Sequence, residues 1–219
     1  MIISHKYKFI FIKTRKTAGT TIMYNLNKFL GKNDIVSKGA LYSFNQNSIY
    51  ETKLSKFLLN INLKKLSKKF HKNFTSHTHA IQVKKILGSK IFDNYFKFCV
   101  EREPVDKSIS YYFMRKNSSN SSIEKKRMTW EQFVNKRRFP VDTNFYTHNG
   151  KLLVNKIIKY ENLEEELYSV LRNLGLSNFR IENSKNNSTR EKNPLVKLEH
   201  KKIIYEAFKS SLKYTNYNI

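Results

Sequence analysis

Cysteine is almost absent from this sequence, and long apolar runs are missing. The single cysteine, Cys99, lies within a short apolar run, which excludes an intramolecular disulfide and favours a buried thiol in a reducing compartment. No stretch approaches the roughly 20 apolar residues of a membrane-spanning helix, and residues 1–8 carry no visible secretory signal. We therefore expect a soluble, cytoplasmic protein.

Acidic residues are also few, because 17 Asp and Glu stand against 42 Lys and Arg and leave a net charge of +25. This excess favours anionic partners such as nucleotides, sulfated or carboxylated sugars, nucleic acid or acidic membranes. The lysines are spread along the whole chain, so the charge alone does not choose among these partners.

The chain is long enough for one large globular domain, with 219 residues of which 39% are hydrophobic and 14% aromatic. We expect a single domain over residues 1–219. Residues 32–74 have the weakest pattern, apart from a lysine-rich helix predicted over 54–70, and form a candidate substrate-facing insertion.

The most informative stretch runs from residue 8 to residue 24. Residues 9–12 predict a buried strand, a small hydroxylic loop with two cations follows, and apolar residues at helical spacing continue to a stop at Gly31. The start of a helix exposes unpaired N–H groups and the positive end of a dipole. This pattern predicts a site for a phosphate or sulfate group.

The loop residues have the chemistry that such a site needs. Gly19 allows the backbone to approach an anion closely, and Lys16 supplies a mobile charge. The hydroxyls of Thr20 and Thr21 add donors. The order of residues differs from a nucleoside-triphosphatase loop, because Arg15 precedes the lysine and the glycine follows it. A phosphate-like anion bound without magnesium fits this order better.

A second strand is predicted over residues 95–100, and it runs directly into Arg102 and a helix that begins near Pro104. Arg102 then stands at a strand end, and Ser110 lies two turns into the helix. In open parallel α/β sheets, ligands bind at the carboxyl ends of the strands. Both side chains are therefore candidates for the same crevice.

The rest of the chain continues the alternation of strands and helices. A third strand is predicted over 152–160, a helix follows from Leu163 to a stop at Gly175, and a last helix covers 198–212. Such alternation predicts an α/β fold with a parallel sheet flanked by helices. His79 lies at the start of another helix, and no third metal ligand accompanies His77 and His79 at a recognisable spacing, so we expect no metal.

The two strand–loop–helix stretches together resemble the sulfotransferase family, and most closely its bacterial and carbohydrate-type branch. Residues 16–21, Lys-Thr-Ala-Gly-Thr-Thr, are similar to the family loop K-T-A-G-T-[ST]. The second family pattern is R-x-P-x-x-[RK]-x-x-S-x-Y, and this chain matches it at Arg102, Pro104, Lys107, Ser110 and Tyr112. The departures are a lysine at 107, where arginine is common, a threonine at 21 and the acidic Glu103.

The resemblance implies a P-loop-like three-layer α/β fold and the donor 3′-phosphoadenosine 5′-phosphosulfate. It implies that the loop after the first strand cradles the 5′-phosphosulfate, and that Arg102 and Ser110 hold the 3′-phosphate. The implied donor-binding residues are Arg15, Lys16, Thr17, Ala18, Gly19, Thr20, Thr21, Arg102, Ser110 and Arg190. Lys16 and His79 are the implied catalytic residues, with His79 as the base that takes the acceptor proton. The implied acceptor is a saccharide hydroxyl.

Two other functions fit parts of the sequence. A kinase that uses the loop for ATP predicts magnesium-dependent turnover, although the early glycine of that loop type is missing. A nucleic-acid-binding protein predicts steeply salt-dependent binding of DNA or RNA, although no recognisable binding module is present.

Overall fold

The computed structural model describes residues 1–37, 74–182 and 193–218. Residues 38–73, which make up most of the predicted insertion and contain its predicted helix, lie outside these ranges. Arg190 lies outside them as well. Within the described residues no helix has the length and apolar character needed to cross a membrane.

The described residues form a five-stranded sheet and a separate two-stranded hairpin. The strands are β1 (Ile2–Ser4), β2 (Phe9–Ile12), β3 (Ile35–Val36), β4 (Phe96–Glu101), β5 (Thr147–His148), β6 (Lys151–Leu152) and β7 (Lys156–Lys159). The order in the large sheet is β3-β1-β2-β4-β7. Strands β2, β4 and β7 are parallel, whereas β1 is antiparallel to both β2 and β3. The predicted parallel sheet is thus confirmed for three strands, and the whole sheet is mixed.

Helices cover both faces of this sheet. They are α1 (Gly19–Asn27), α2 (Ala80–Leu87), α3 (Ser89–Asn94), α4 (Pro104–Asn117), α5 (Ile123–Arg127), α6 (Trp130–Asn135), α7 (Thr143–Tyr146), α8 (Leu163–Asn173) and α9 (Leu198–Thr215). Alternate strand residues point to opposite faces. Phe9 and Phe11 pack with α1 and α8, while Ile10 and Ile12 pack with α2, α3 and α7. A third cluster joins α4, α6 and α9.

Two sequence predictions need correction. The strand predicted over 152–160 is three pieces, because β6 belongs to the hairpin, β7 begins only at Lys156, and Tyr160–Asn162 forms a 3₁₀ turn. Asn155 separates the pieces by bonding to the edge of β4: its N–H donates to the Lys97 carbonyl at 2.7 Å, and its Oδ1 accepts from the Lys97 N–H at 2.9 Å. The first residues, which carried no predicted element, form β1.

The parallel pairing of β2 with β4 brings the two predicted anion-binding stretches to one edge of the sheet. Ile12, the last residue of β2, lies opposite Cys99 in β4. The loop over residues 13–18 and the turn at Arg102 therefore leave the sheet side by side. Cys99 itself is fully buried, as predicted, and burial raises the pKa of its thiol well above the usual value.

Candidate active site

The loop between β2 and α1 has a backbone with two left-handed residues. Lys16 and Ala18 adopt φ angles of 61° and 55°, a left-handed conformation that costs non-glycine residues about 1–2 kcal/mol. Ala18 caps α1, and the first bond within the helix runs from the Ile22 N–H to the Ala18 carbonyl at 3.0 Å. The first turn of an α-helix offers N–H groups for contacts outside the helix, and here that turn follows directly on the loop. Such concave runs of N–H groups are anion-binding nests.

Two buried threonines fix this loop to the neighbouring strand. The Thr14 hydroxyl donates to the Val100 carbonyl in β4, and the Thr17 hydroxyl lies 2.9 Å from Thr14 Oγ1. Because the Thr14 hydrogen is already used, Thr17 donates to Thr14. The Thr17 side chain thus supports the loop, and its backbone is what remains for an anion.

Three cations stand close together at this edge of the sheet. Burial lowers the pKa of Lys13 to about 8, with Lys16 contributing further. Burial also lowers the pKa of Lys16, and the nearby Arg102 charge adds to this effect. Like charges held near each other disfavour the protonated forms. Lys13 Nζ donates to Thr20 Oγ1 at the start of α1, and Arg102 donates to the Lys16 carbonyl, so all three cations border the same loop.

Arg102 connects the two predicted stretches directly. Its Nη1 donates to the Lys16 carbonyl at 3.1 Å, and Nε and Nη2 both lie 2.5 Å from Asp106 Oδ2. The guanidinium carbon is 4.0 Å from the centre of the Tyr160 ring, a cation–π distance. The fork is therefore held in one orientation while two of its five N–H groups stay outside these bonds.

The two acidic residues near Arg102 have different structural roles at the start of α4. Glu103 caps the helix, since its carboxylate accepts from the N–H groups of Val105 at 2.9 Å and Asp106 at 2.7 Å. The carboxylate that pairs with Arg102 is Asp106. Ser110 lies one turn beyond Asp106, on the same side of α4, and is half-buried. Arg102 and Ser110 therefore lie along one side of this helix start.

A buried ionic network lies beneath the loop. Asp142 accepts from the Arg15 N–H at 2.6 Å, from Arg15 Nε at 2.5 Å and from Lys107 Nζ at 2.9 Å. Lys107 also contacts Glu101 at 2.6 Å. Burial lowers the pKa of Lys107, but the two carboxylates outweigh it and raise that pKa above the usual value. Arg15, predicted to contact an anion, thus anchors the loop through its side chain and its backbone.

His77 and His79 occupy different positions relative to the loop. His77 Nδ1 lies 3.0 Å from the Lys13 carbonyl, which can only accept, so Nδ1 carries the hydrogen and Nε2 keeps its lone pair. Burial lowers the pKa of His77, with its bond to the Lys13 carbonyl acting in the opposite direction. His79 caps α2, and its N–H donates to Gln82 Oε1 at 3.3 Å. Both rings pack against Phe145, at centroid distances of 5.8 Å and 4.7 Å.

Sequence reasoning did not place Lys13 or Asp142 in this region, and it considered His77 only as a possible metal ligand. Lys13 follows an apolar strand directly, and only the fold shows where its ammonium group lies. Asp142 is 127 positions from Arg15, so no local pattern connects them. A surface cavity of about 470 Å³ lies beside this region and is lined by Val141, Thr143 and Tyr214 among others, but by none of the predicted site residues.

Comparison with known proteins supports the family that the sequence motifs indicated. A protein of Archaeoglobus fulgidus described as uncharacterized is 33% identical over 102 residues, a match that covers 44% of this chain and 82% of that protein. No solved structure matches the chain. The model of the sulfotransferase family matches residues 1–213, which include both strand ends and the helices that carry the site. The chain therefore belongs to the sulfotransferase family and is an enzyme of sulfuryl transfer.

Proposed function

We propose that this enzyme takes the sulfuryl group from 3′-phosphoadenosine 5′-phosphosulfate and transfers it to a saccharide hydroxyl. The observation that carries this proposal is that Lys13, Lys16 and Arg102 border one loop at the start of α1, with Lys13 bonded to Thr20 and Arg102 bonded to the Lys16 carbonyl. Cations that crowd one another in this way favour a ligand with several negative charges. A nucleotide with phosphates at both ends of its ribose is such a ligand.

The donor's two charged ends match two parts of the site. The backbone of residues 16–21 and the Thr20 and Thr21 hydroxyls would hold the 5′-phosphosulfate at the start of α1. Arg102 and Ser110 would hold the 3′-phosphate, because a guanidinium offers a bidentate fork and a hydroxyl adds a neutral donor. Arg190 stays a predicted contact outside the described residues. The layered sheet, with helices on both faces and this loop after β2, is consistent with a P-loop-like arrangement.

The reaction is an in-line displacement at sulfur. The acceptor oxygen forms a bond to sulfur while the bond from sulfur to the 5′-phosphate oxygen breaks, and the bisphosphorylated nucleotide leaves with that oxygen. Lys16 would neutralise the charge that develops on the leaving oxygen, an interaction that strengthens in the transition state. The acceptor hydroxyl loses its proton to a base, and positioning supplies much of the remaining rate enhancement.

Two histidines are candidates for that base. His79 is the residue predicted from the sequence. His77 is the candidate from the structure, because its Nδ1–H is held by the Lys13 carbonyl, which leaves Nε2 to accept a proton, and burial lowers its pKa. The two positions are separable by mutation, and the test is given in the Discussion.

The proposed function is tested by incubating the enzyme with the donor and a panel of acceptors. The panel contains a carboxylated polysaccharide, a neutral oligosaccharide and a simple phenol, and mass spectrometry follows the addition of one sulfate. Sulfation of a saccharide is expected, with Lys16→Met about a hundredfold slower or worse. Lys8→Met is the matched control, since Lys8 is also a lysine with positive φ but lies at the other end of β2. Sulfation of the phenol alone, or equal rates in both variants, would contradict the assignment.

A further inference from the structure

The Lys13 side chain takes a path that requires glycine at position 19. A Cβ atom on Gly19 would lie 2.6 Å from Lys13 Cγ and 3.0 Å from Lys13 Cε. The lysine stem therefore crosses directly over the first residue of α1. Its Nζ reaches the second residue, where it donates to Thr20 Oγ1 at 3.0 Å. Gly19 leaves room for this side chain.

Lys13 is placed differently from an ordinary structural lysine. It is 9% exposed, although lysine is seldom buried unless it is paired. Among the described residues it forms no ion pair with a carboxylate. The charged group that influences its pKa is the cation Lys16. Lys97, another buried lysine, instead donates to the carbonyls of Phe92 and Asp93 at 3.2 and 3.3 Å. A buried ammonium beside a second cation lacks the compensation that folding normally provides.

The bond to Thr20 leaves donors free for a ligand. An ammonium has three N–H groups, and the Thr20 bond uses one. That bond occupies a lone pair of the Thr20 oxygen, so the Thr20 hydroxyl hydrogen is available to donate elsewhere. Lys13 and Thr20 thus present cationic and hydroxyl donors together at the start of α1.

We infer that Lys13 is a second cationic residue of the donor site, which holds the non-bridging oxygens of the 5′-phosphate together with Thr20. This inference rests on the proposed function and extends it by one residue. It assigns different roles to the two lysines. Lys13 binds oxygens that are charged before and after transfer, whereas Lys16 stabilises the charge that develops during transfer. Loss of Lys13 should therefore weaken nucleotide binding, while loss of Lys16 should chiefly slow the reaction.

Calorimetry with 3′-phosphoadenosine 5′-phosphate tests this assignment on three proteins. Lys13→Met keeps an apolar stem over Gly19 and removes the charge, and Lys97→Met removes the charge of a buried lysine at the opposite end of β4. We expect Lys13→Met to bind the nucleotide about 10- to 100-fold more weakly than the unaltered chain, the scale of a charge-assisted hydrogen bond. Lys97→Met should bind it unchanged. Equal affinity of Lys13→Met and the unaltered chain would overturn the inference.

Proton uptake on binding gives a second measurement, made on the unaltered chain and on Lys13→Met. Because burial lowers the pKa of Lys13 to about 8, a bound anion should raise it, and binding at pH 8 should take up protons from the buffer. Titrations at pH 8 in two buffers of different ionisation enthalpy measure that uptake. The other titratable groups that face Lys13 are Lys16, His77 and the Met1 amino group. Uptake that falls in Lys13→Met supports the inference, and absence of uptake in the unaltered chain overturns it.

The outcomes separate this inference from the proposed function. If the unaltered chain binds no 3′-phosphoadenosine 5′-phosphate, both are overturned. If it binds the nucleotide and Lys13→Met binds it equally well, only the role of Lys13 is overturned. Thermal unfolding of each variant is measured on the same samples, so that a folding defect is distinguished from a lost contact.

Discussion

Arg102 Nη1 donates to the carbonyl oxygen of Lys16 at 3.1 Å, which joins the end of β4 to the loop that follows β2. The two residues are 86 positions apart, and each belongs to a different family motif. The bond holds Lys16 in its left-handed conformation and orients the guanidinium beside it. The two motifs are therefore in direct contact in the fold, as the proposed donor site requires.

Replacement of Arg102 by alanine should weaken binding of the bisphosphorylated nucleotide by roughly 1.5–3 kcal/mol, because a charged hydrogen bond to the 3′-phosphate is lost. Adenosine 5′-phosphosulfate lacks that phosphate and should be affected much less. Calorimetry with both nucleotides measures the difference. Arg115→Ala is a matched control, since Arg115 also lies over a tyrosine ring but near the far end of α4. Equal losses for both nucleotides would mean that Arg102 serves only to hold the loop.

Replacement of each histidine should identify the base. If His77 acts through Nε2, His77→Ala should lower the transfer rate about 10²–10⁴-fold while donor affinity stays nearly unchanged. The unaltered enzyme should lose activity only below the usual histidine pKa of about 6.5, because burial lowers the pKa of His77 and the protonated ring cannot accept a proton.

His79→Ala is the paired measurement for this prediction. If His79 only caps the helix, its replacement should lower the melting temperature and leave the transfer rate per folded molecule unchanged. A large rate loss in His79→Ala with a normal rate in His77→Ala would restore the residue predicted from the sequence. Rates and melting temperatures are compared on the same preparations.

Gly19→Ala should act through Lys13. The added Cβ would displace the lysine stem, and we expect nucleotide affinity to fall about tenfold, the loss of roughly one charged hydrogen bond. In a Lys13→Ala background the clashing Cγ is absent, so Gly19→Ala should have little further effect. The same loss in both backgrounds would mean that Gly19 serves direct backbone approach to the anion, the role expected from the sequence.

The stability of the unliganded protein should rise with pH in the alkaline range. The pKa of Lys13 is about 8 in the folded chain and near 10.4 when unfolded, so the unfolded state binds more protons between these values. The free energy of unfolding therefore increases from about pH 8 to about pH 10.5. Lys13→Met should reduce this rise and be more stable at pH 7 by roughly 1–3 kcal/mol. Denaturant titrations at several pH values check it, and an unchanged slope in the variant would contradict it.

The sequence was sufficient to predict the elements that carry the site, because each begins with a strong local signal. Residues 9–12 form an apolar strand followed by a small-residue loop, and Pro104 takes the first position of α4 as predicted. Gly175, with a φ of 88°, follows α8 where a stop was predicted. The family was also recognisable, since both motifs stand in the right order.

The parts of the fold and of the site that the sequence did not predict depend on long-range contacts, which no local sequence pattern encodes. Strand β1 has three residues and takes its place by pairing with β2 and β3, so neither periodicity nor turn signals reveal it. Lys107 matched a family position, but its burial between Glu101 and Asp142 follows only from the fold. In the sequence, Lys13 looks like an ordinary polar residue after a strand. Only the fold shows that its side chain lies over Gly19.

The most direct test of the account is calorimetry of the unaltered chain with three ligands: 3′-phosphoadenosine 5′-phosphate, ATP with magnesium, and a DNA oligonucleotide. The account predicts one-to-one binding of the bisphosphorylated nucleotide without any metal, and at least tenfold weaker binding of ATP at the same ionic strength. Binding of the oligonucleotide should be weak and should disappear as salt rises. Tighter binding of ATP with magnesium, or of DNA at physiological salt, than of 3′-phosphoadenosine 5′-phosphate would contradict the proposed donor site.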